Sequence, residues 1–370
     1  MRKEKNMEYR ILPHGGEKIS VLGLGTAYVG DAGEQNVTDT VSYAMDQGIN
    51  YIDMAGSKAC IFAGVGRAMK GRRDQLMVQV HFGADYSTGE YGWDLSLESV
   101  KRSVDWQIRN LDTDYVDFGY MHCLDEVKDL KDYEKNGVLE YLLGMKKQGV
   151  VRHLGLSTHS PELANRVLDM GLVDMIMYSI NPMYDYGQGE FAMGGAGERY
   201  ELYRRCEKEG VGITVMKPFS GGLLLDAAKS PFHHALTPAQ CIQYVLDRPG
   251  VLTTVMGCSN VEEVKQNLAW LDASEEEKDY SVIGTFTPGD TKGKCVYCRH
   301  CHPCPMGLDI ALINKYYDLS KLGDELAKEH YRTMELHASD CLQCGHCNDR
   351  CPFHVDQMAR MQEISGYFGF

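Results

Sequence analysis

The chain has 370 residues, 44% of them hydrophobic, and a net charge of −14, enough for one large domain, a smaller one and a sizeable core. That acidic balance, with no block of five or more basic residues, argues against nucleic acid and anionic membrane as partners. No apolar run approaches the ~18 residues of a membrane span.

The opening MRKEKNMEYRILPHGG is charged and lacks an apolar stretch, so no signal peptide and a cytoplasmic location are expected. Up to residue 284, short apolar runs alternate with longer amphipathic segments. The strand candidates, in order, are VLGLGT, INYID, LMVQVHF, YVDFGYMH, VRHLGLS, VDMIMYS, GITVMK and LTTVMG. Helices are expected around 37–47, 60–70, 96–110, 134–148, 161–170, 197–209, 237–247 and 260–271. Ser160-Pro161 and Thr237-Pro238 each place an N-cap residue before a proline at the first helical position.

Eight such repeats predict a (β/α)8 TIM barrel, which typically takes about 250 residues. A doubly wound sheet is the alternative, but no GxGxxG opens a helix after the first strand. The barrel is expected over 1–284 and a second domain over 285–370. Residues 272–294, with SEEEKD and then TPGDTKGK, read as the linker between them.

Eight of the thirteen cysteines fall in two tight runs. CVYCRHCHPCP holds Cys295, Cys298, Cys301 and Cys304; CLQCGHCNDRCP holds Cys341, Cys344, Cys347 and Cys351. The second spacing, C-x2-C-x2-C-x3-C-P, is the bacterial [4Fe–4S] pattern. Zinc usually asks for two cysteine pairs separated by roughly a dozen residues or more, whereas these runs are continuous and both end in Cys-Pro. Two [4Fe–4S] clusters in a reducing compartment are expected. Similarity to two-cluster ferredoxins implies Cys295, Cys298, Cys301 and Cys351 on one cluster, and Cys341, Cys344, Cys347 and Cys304 on the other. Between the runs, LDIALINKYYDLSKLGDELAKEHYRTM reads as helix, so an α-helical ferredoxin-like module is expected. Of the remaining cysteines, Cys206 and Cys241 read as core, and Cys60 as either a site residue or a small apolar one.

Barrel chemistry sits where strands end, at the C-terminal rim. The polar residues there are Asp53, His81, His122, Ser157 with His159, Asn181, Lys217 and Cys258. Asp53, His81 and His122 end the second, third and fourth strands, so one carboxylate and two imidazoles converge on one corner. Titratable groups on neighbouring strand ends point to function. The long segment NPMYDYGQGEFAMGGAGE after strand six is expected to fold over a substrate, with Tyr184, Tyr186 and Phe191 as apolar faces.

In order along residues 8–271, EYRILPHGGEKISVLGLGT, INYIDMA, GVGRAMKG, YVDFGYMH, VRHLGLST, VMKPFSGGLL and VMGCSNVEEVKQN resemble the aldo-keto reductase family. The cysteine runs resemble its iron–sulfur branch. The resemblance implies a barrel that moves hydride between NAD(P)H and a carbonyl through an aspartate, tyrosine, lysine and histidine. Asp53 matches the aspartate and His122 the histidine. Lys58 stands at the tyrosine position and His81 at the lysine position, and no tyrosine occurs from 52 to 85. For a nucleotide, the resemblance implies Ser157, Lys217, Ser220, Gly221, Gly222, Gly257 and Asn267. Glu263 disfavours a 2′-phosphate, and Met177 and Thr158 replace the usual amide side chains, so NAD(P)H binding stays open.

The expected activity is redox chemistry on a small organic substrate. Electrons come from two [4Fe–4S] clusters, and Asp53, Lys58, His81 and His122 form a non-standard tetrad in which Lys58 holds an anion. A ferredoxin or flavoprotein is the expected redox partner. The alternatives are a metal-dependent lyase or hydrolase using Asp53, His81 and His122, an NAD(P)H-dependent carbonyl reductase with an altered acid, and an electron carrier with the barrel as scaffold.

Overall fold

The computed structural model describes residues 7–187, 191–284, 293, 295, 301–321, 328, 331–351 and 353–370. In chain order the strands are β1 (Tyr9–Ile11), β2 (Lys18–Ser20), β3 (Leu22–Gly25), β4 (Tyr51–Asp53) and β5 (Met77–Phe82). A short pair follows, β6 (Ala84–Asp85) and β7 (Gly92–Trp93). Then come β8 (Val116–Met121), β9 (Val151–Thr158), β10 (Met175–Ser179), β11 (Gly212–Met216) and β12 (Val251–Gly257). β3, β4, β5, β8, β9, β10, β11 and β12 pair in parallel and close into the expected barrel. Helices cover the outside of these strands, so both strand faces are buried and the sequence between turns is nearly all apolar. All six residues of β8 are buried.

Helix starts follow their local chemistry. Ser160 Oγ accepts from the Leu163 N–H, and Thr237 and Gln240 exchange hydrogen bonds as a capping box. The single helix expected over 134–148 is two, Val127–Lys135 and Val138–Lys147, because Gly137 takes φ 76 between them. Part of the expected linker is ordered instead: Glu275–Lys278 forms a helical turn capped by Ser274. Tyr280 donates to Asp247, and Ile283 is buried in the barrel's outer core. The TPGDTKGK stretch, apart from Gly293, lies outside the described residues.

Inside the barrel, Tyr51, Phe118, Tyr120, Met175 and Met177 pack together, and Leu12 and Ile19 of the β1–β2 hairpin close the bottom. Gly155 makes room for Tyr120: a Cβ there would lie 2.1 Å from the ring's Cε1. A separate core gathers Leu308, Ile310, Ile313, Tyr331, Met361 and Ile364 around Cys301 and Cys347. The helix expected between the cysteine runs is seen as Ile310–Lys321; residues 322–327 lie outside the described ones. Among the described residues no helix is long and apolar enough to cross a membrane.

Candidate active site

β4, β5 and β8 are neighbours in the barrel, so their ends bring Asp53, His81 and His122 together as expected. His81 Nε2 lies 2.6 Å from Asp53 Oδ1, and His81 Nδ1 lies 2.9 Å from His122 Nδ1. All three are at most 5% exposed. Gln79 on β5 donates to Asp53 Oδ1 at 2.9 Å and accepts from the Tyr51 hydroxyl at 2.5 Å, fixing the carboxylate from below. Burial, followed by His81 and His159, holds His122 well below the usual imidazole range. These bonds leave no shared space for a metal: His81 spends both ring nitrogens on Asp53 and His122. The metal-dependent alternative loses its ligand set.

Lys58 departs from expectation. Its ammonium points outward to Glu90, 2.7 Å away, with its side chain 42% exposed. Glu90 raises its pKa further. It stands apart from the Asp53 corner because Lys58 and Glu90 form an antiparallel bridge between two loops. A different residue completes the corner. Tyr91, next to Glu90, places its hydroxyl 2.7 Å from His122 Nε2, and Trp93 Nε1 donates to the His122 carbonyl. Burial, then Cys123, pushes the Tyr91 phenol up to about 12. The β6–β7 hairpin that carries it begins at Gly83, whose φ of +125 a side chain would strain, and whose Cβ would press on Leu95 and His122. The sequence held one signal for it. Residues 83–95 form a connection longer than barrel loops usually need, and they contain the aromatic pair of YGW.

The residues expected at a nucleotide are only partly arranged for one. Asn267 is buried and spends its amide on Cys258 Sγ at 3.2 Å. Ser220 and Gly222 turn their amides to Lys217 O and Phe219 O, so two of the three amides expected to cradle a phosphate are engaged within the turn. Ser157 is buried beside Met177, its register partner. Gly257 sits under the half-exposed ring of Tyr28. Glu263 accepts from the Ser259 N–H at 2.8 Å, keeping a carboxylate at this rim.

After β9 and β11, His159 Nδ1 pairs with Asp125 Oδ2 at 2.9 Å, and Lys217 Nζ lies 3.1 Å from His159 Nε2. Cys123, Asp125 and His159 converge closely enough for a cation, but the Lys217 ammonium against the same imidazole opposes one. Phe191 of the loop after β10 stacks on His159 at 4.6 Å and lies under Lys217 at 4.2 Å. This loop does fold onto the rim, although residues 188–190 lie outside the described ones. A short helix, Pro182–Asp185, capped by Asn181, starts it. Cys60 faces the Gly30 carbonyl, and Cys206 and Cys241 are core.

The cysteines also converge. Cys304, Cys341, Cys344 and Cys347 line one small cavity together with Cys301. Cys295 and Cys351 meet in a second apolar cluster with Phe353 and Val355. That cluster packs on Tyr186 of the rim loop, whose ring lies 6.4 Å from Phe353. Cys298 lies outside the described residues.

The sequence pattern of the Aldo/keto reductase family covers residues 21–238. L-galactose dehydrogenase of Arabidopsis thaliana is 26% identical over 297 residues, spanning 71% of this chain and 88% of that protein. Protein tas of Escherichia coli is 24% identical over 326 residues, spanning 71% and 92%. Among solved structures, an aldo-keto reductase from Bacillus halodurans in its holo form superposes with a TM-score of 0.61. It is 23% identical and covers 76% of this chain and 97% of its own. A Klebsiella pneumoniae aldo-keto reductase in complex with NADPH gives 0.52 at 20% identity, over 74% and 93%. At these identities the structures speak for a shared fold.

Proposed function

The chain belongs to the aldo/keto reductase family of oxidoreductases, and from that premise we propose that it is an iron–sulfur enzyme acting on a small organic substrate at the barrel rim. The carrying observation is the convergence of Cys304, Cys341, Cys344 and Cys347 on one cavity. Four cysteines lining a common space suit a [4Fe–4S] cubane. The packing of Cys295 against the Cys351 cluster supports a second cluster, to which the resemblance adds Cys298 and Cys301, with Cys301 lying at the edge of the first cavity, so that 285–370 is a two-cluster module on a barrel of residues 1–284. When bound, such clusters supply electrons singly. The contact of Phe353 with Tyr186 supports close coupling between module and rim. A ferredoxin or flavoprotein in the cytoplasm fits as the external partner.

The chain's own groups handle the protons. Asp53, His81 and His122 are buried, mutually hydrogen-bonded and at the rim. Lys58 drops out of the proposed corner, since its charge is spent on Glu90. A second reading, nicotinamide-dependent carbonyl reduction, is favoured by the Tyr91 phenol beside His122. It is weakened by Glu263 and the spent Asn267 amide.

The deciding experiment is anaerobic purification with iron and sulfide analysis, followed by turnover with reduced methyl viologen, NADH or NADPH. Cluster-dependent turnover with the viologen supports the first reading. Zinc without sulfide, and turnover with a nicotinamide alone, would leave only the second.

A further inference from the structure

We propose that Tyr91 is the group that exchanges a proton with the substrate oxygen, and that Asp53, His81 and His122 form a relay that reloads it. The proposal deepens the oxidoreductase reading and rests on it. The four groups form one unbroken line. Asp53 Oδ1 is 2.6 Å from His81 Nε2, His81 Nδ1 is 2.9 Å from His122 Nδ1, and His122 Nε2 is 2.7 Å from the Tyr91 hydroxyl. Every ring nitrogen of both imidazoles is used, so a proton moved at one end forces a shift at each link.

Exposure gives the line a direction. Asp53, His81 and His122 are sealed, whereas Tyr91 is 44% exposed. It is the one member of the line with a large exposed surface. A tyrosine that merely capped His122 would have no need of that opening. The hairpin aims it from outside: the Tyr91 N–H donates to Ser57 O, the Ala59 N–H donates to Gly89 O, and Lys58 bridges Glu90. The lysine standing at the position where the resemblance expects a tyrosine thus anchors the strand that supplies another one.

The protons balance. With four on the line, His81 carries two and faces the Asp53 carboxylate as an imidazolium. His122 donates from Nε2 to Tyr91, and the Tyr91 O–H points at the substrate. Reduction breaks that O–H bond and forms the O–H bond of the product alcohol. The His122 Nε2 proton then moves to Tyr91, and the His81 Nδ1 proton moves to His122 Nδ1. Three protons remain and the line carries one negative charge. The electron pair enters at the carbonyl carbon, as hydride from a dihydronicotinamide or as two single electrons with a solvent proton. Alcohol oxidation runs the same shifts backwards.

The electrostatics agree with these roles. A phenol pushed up to about 12 stays protonated at neutral pH and is still acidic enough to neutralise an alkoxide. His122, held neutral by burial, needs only to exchange tautomers. The other titratable groups facing the line are Cys123 and Tyr86 near Tyr91, His159 and Tyr120 near the imidazoles, and Tyr51, Tyr86 and Tyr120 near Asp53. His159 is tied to Asp125, and Cys123 is held up to about 11 as a thiol.

Tyr91→Phe keeps the ring and removes only the hydroxyl of a half-exposed residue. Two readouts are taken on the full chain. The first is the 15N histidine spectrum: the His122 Nε2 resonance should shift in the variant while the His81–Asp53 pair stays. The second is reduction of 4-nitrobenzaldehyde with NADH, NADPH or reduced methyl viologen. Here kcat should fall about 100-fold with KM within about threefold, the scale of a lost general acid. An unmoved His122 resonance overturns the relay, as does full kcat in the variant. A wild type that reduces the aldehyde with none of the three donors removes the oxidoreductase reading instead, and the nitrogen resonances then decide the relay by themselves.

Discussion

His81 and His122 face each other Nδ1 to Nδ1 at 2.9 Å. Only one proton fits between two nitrogens at that distance, so the two rings cannot both be imidazolium. This has a consequence for stability. His122 is held well below the ~6.5 of a free imidazole, so in acid the unfolded chain takes up a proton that the folded chain refuses. Its contribution is complete above about pH 6.5 and is lost as pH falls below that. Thermal midpoints measured from pH 8 to 5 should decline on the acid side, and His122→Asn should flatten that decline. An identical slope in the variant would assign the acid loss to other groups.

Lys58→Met should leave turnover within about threefold of wild type and cluster content intact, because exposed ion pairs contribute little and its ammonium is spent on Glu90. Steady-state rates with iron analysis check this. A tenfold loss would return Lys58 to the site.

Iron content should follow the cysteine partition. Anaerobically purified protein should carry about eight iron and eight sulfide, and Cys347→Ser should lower this towards about four. Unchanged iron in that variant would exclude Cys347, buried in the module's core, as a ligand.

NADPH should bind no more tightly than NADH, since the resemblance puts Glu263 where a 2′-phosphate would need a cation, and its carboxylate is held there by the Ser259 N–H. Glu263→Arg should raise NADPH affinity about tenfold by offering a charge-assisted, bidentate partner. Fluorescence titration of both nucleotides measures it. Micromolar preference for NADPH in the wild type would refute the charge argument.

Gly155→Ala places a methyl 2.1 Å from the Tyr120 ring inside the barrel. Overpacking of this kind costs about 1–3 kcal/mol, which calorimetry should read as a thermal midpoint lower by several degrees. An unchanged midpoint would mean that Tyr120 swings aside freely, despite its contacts with Tyr51 and Thr214.

The alternation of apolar runs with amphipathic segments determined the eight strands, and the strand ends determined that Asp53, His81 and His122 share a corner. Both follow from local periods: a residue at the end of a parallel strand is carried to the rim whatever its loops do. The cysteine spacing is likewise local, and the fold gathers cysteines of both runs, Cys301 and Cys304 with Cys341, Cys344 and Cys347, around one cavity. Loops and buried amides obey no such period. Lys58 was placed in the corner by its distance from Asp53 along the chain, yet its direction is set by a bridge to Glu90, 32 residues away. Next to that bridge, Tyr91 reaches His122. Asn267 looked free for a ligand until packing set its amide against Cys258. Short-range pattern fixes where the backbone of a strand ends, whereas the aim of a loop side chain depends on contacts between segments distant in sequence, and only the folded chain decides those.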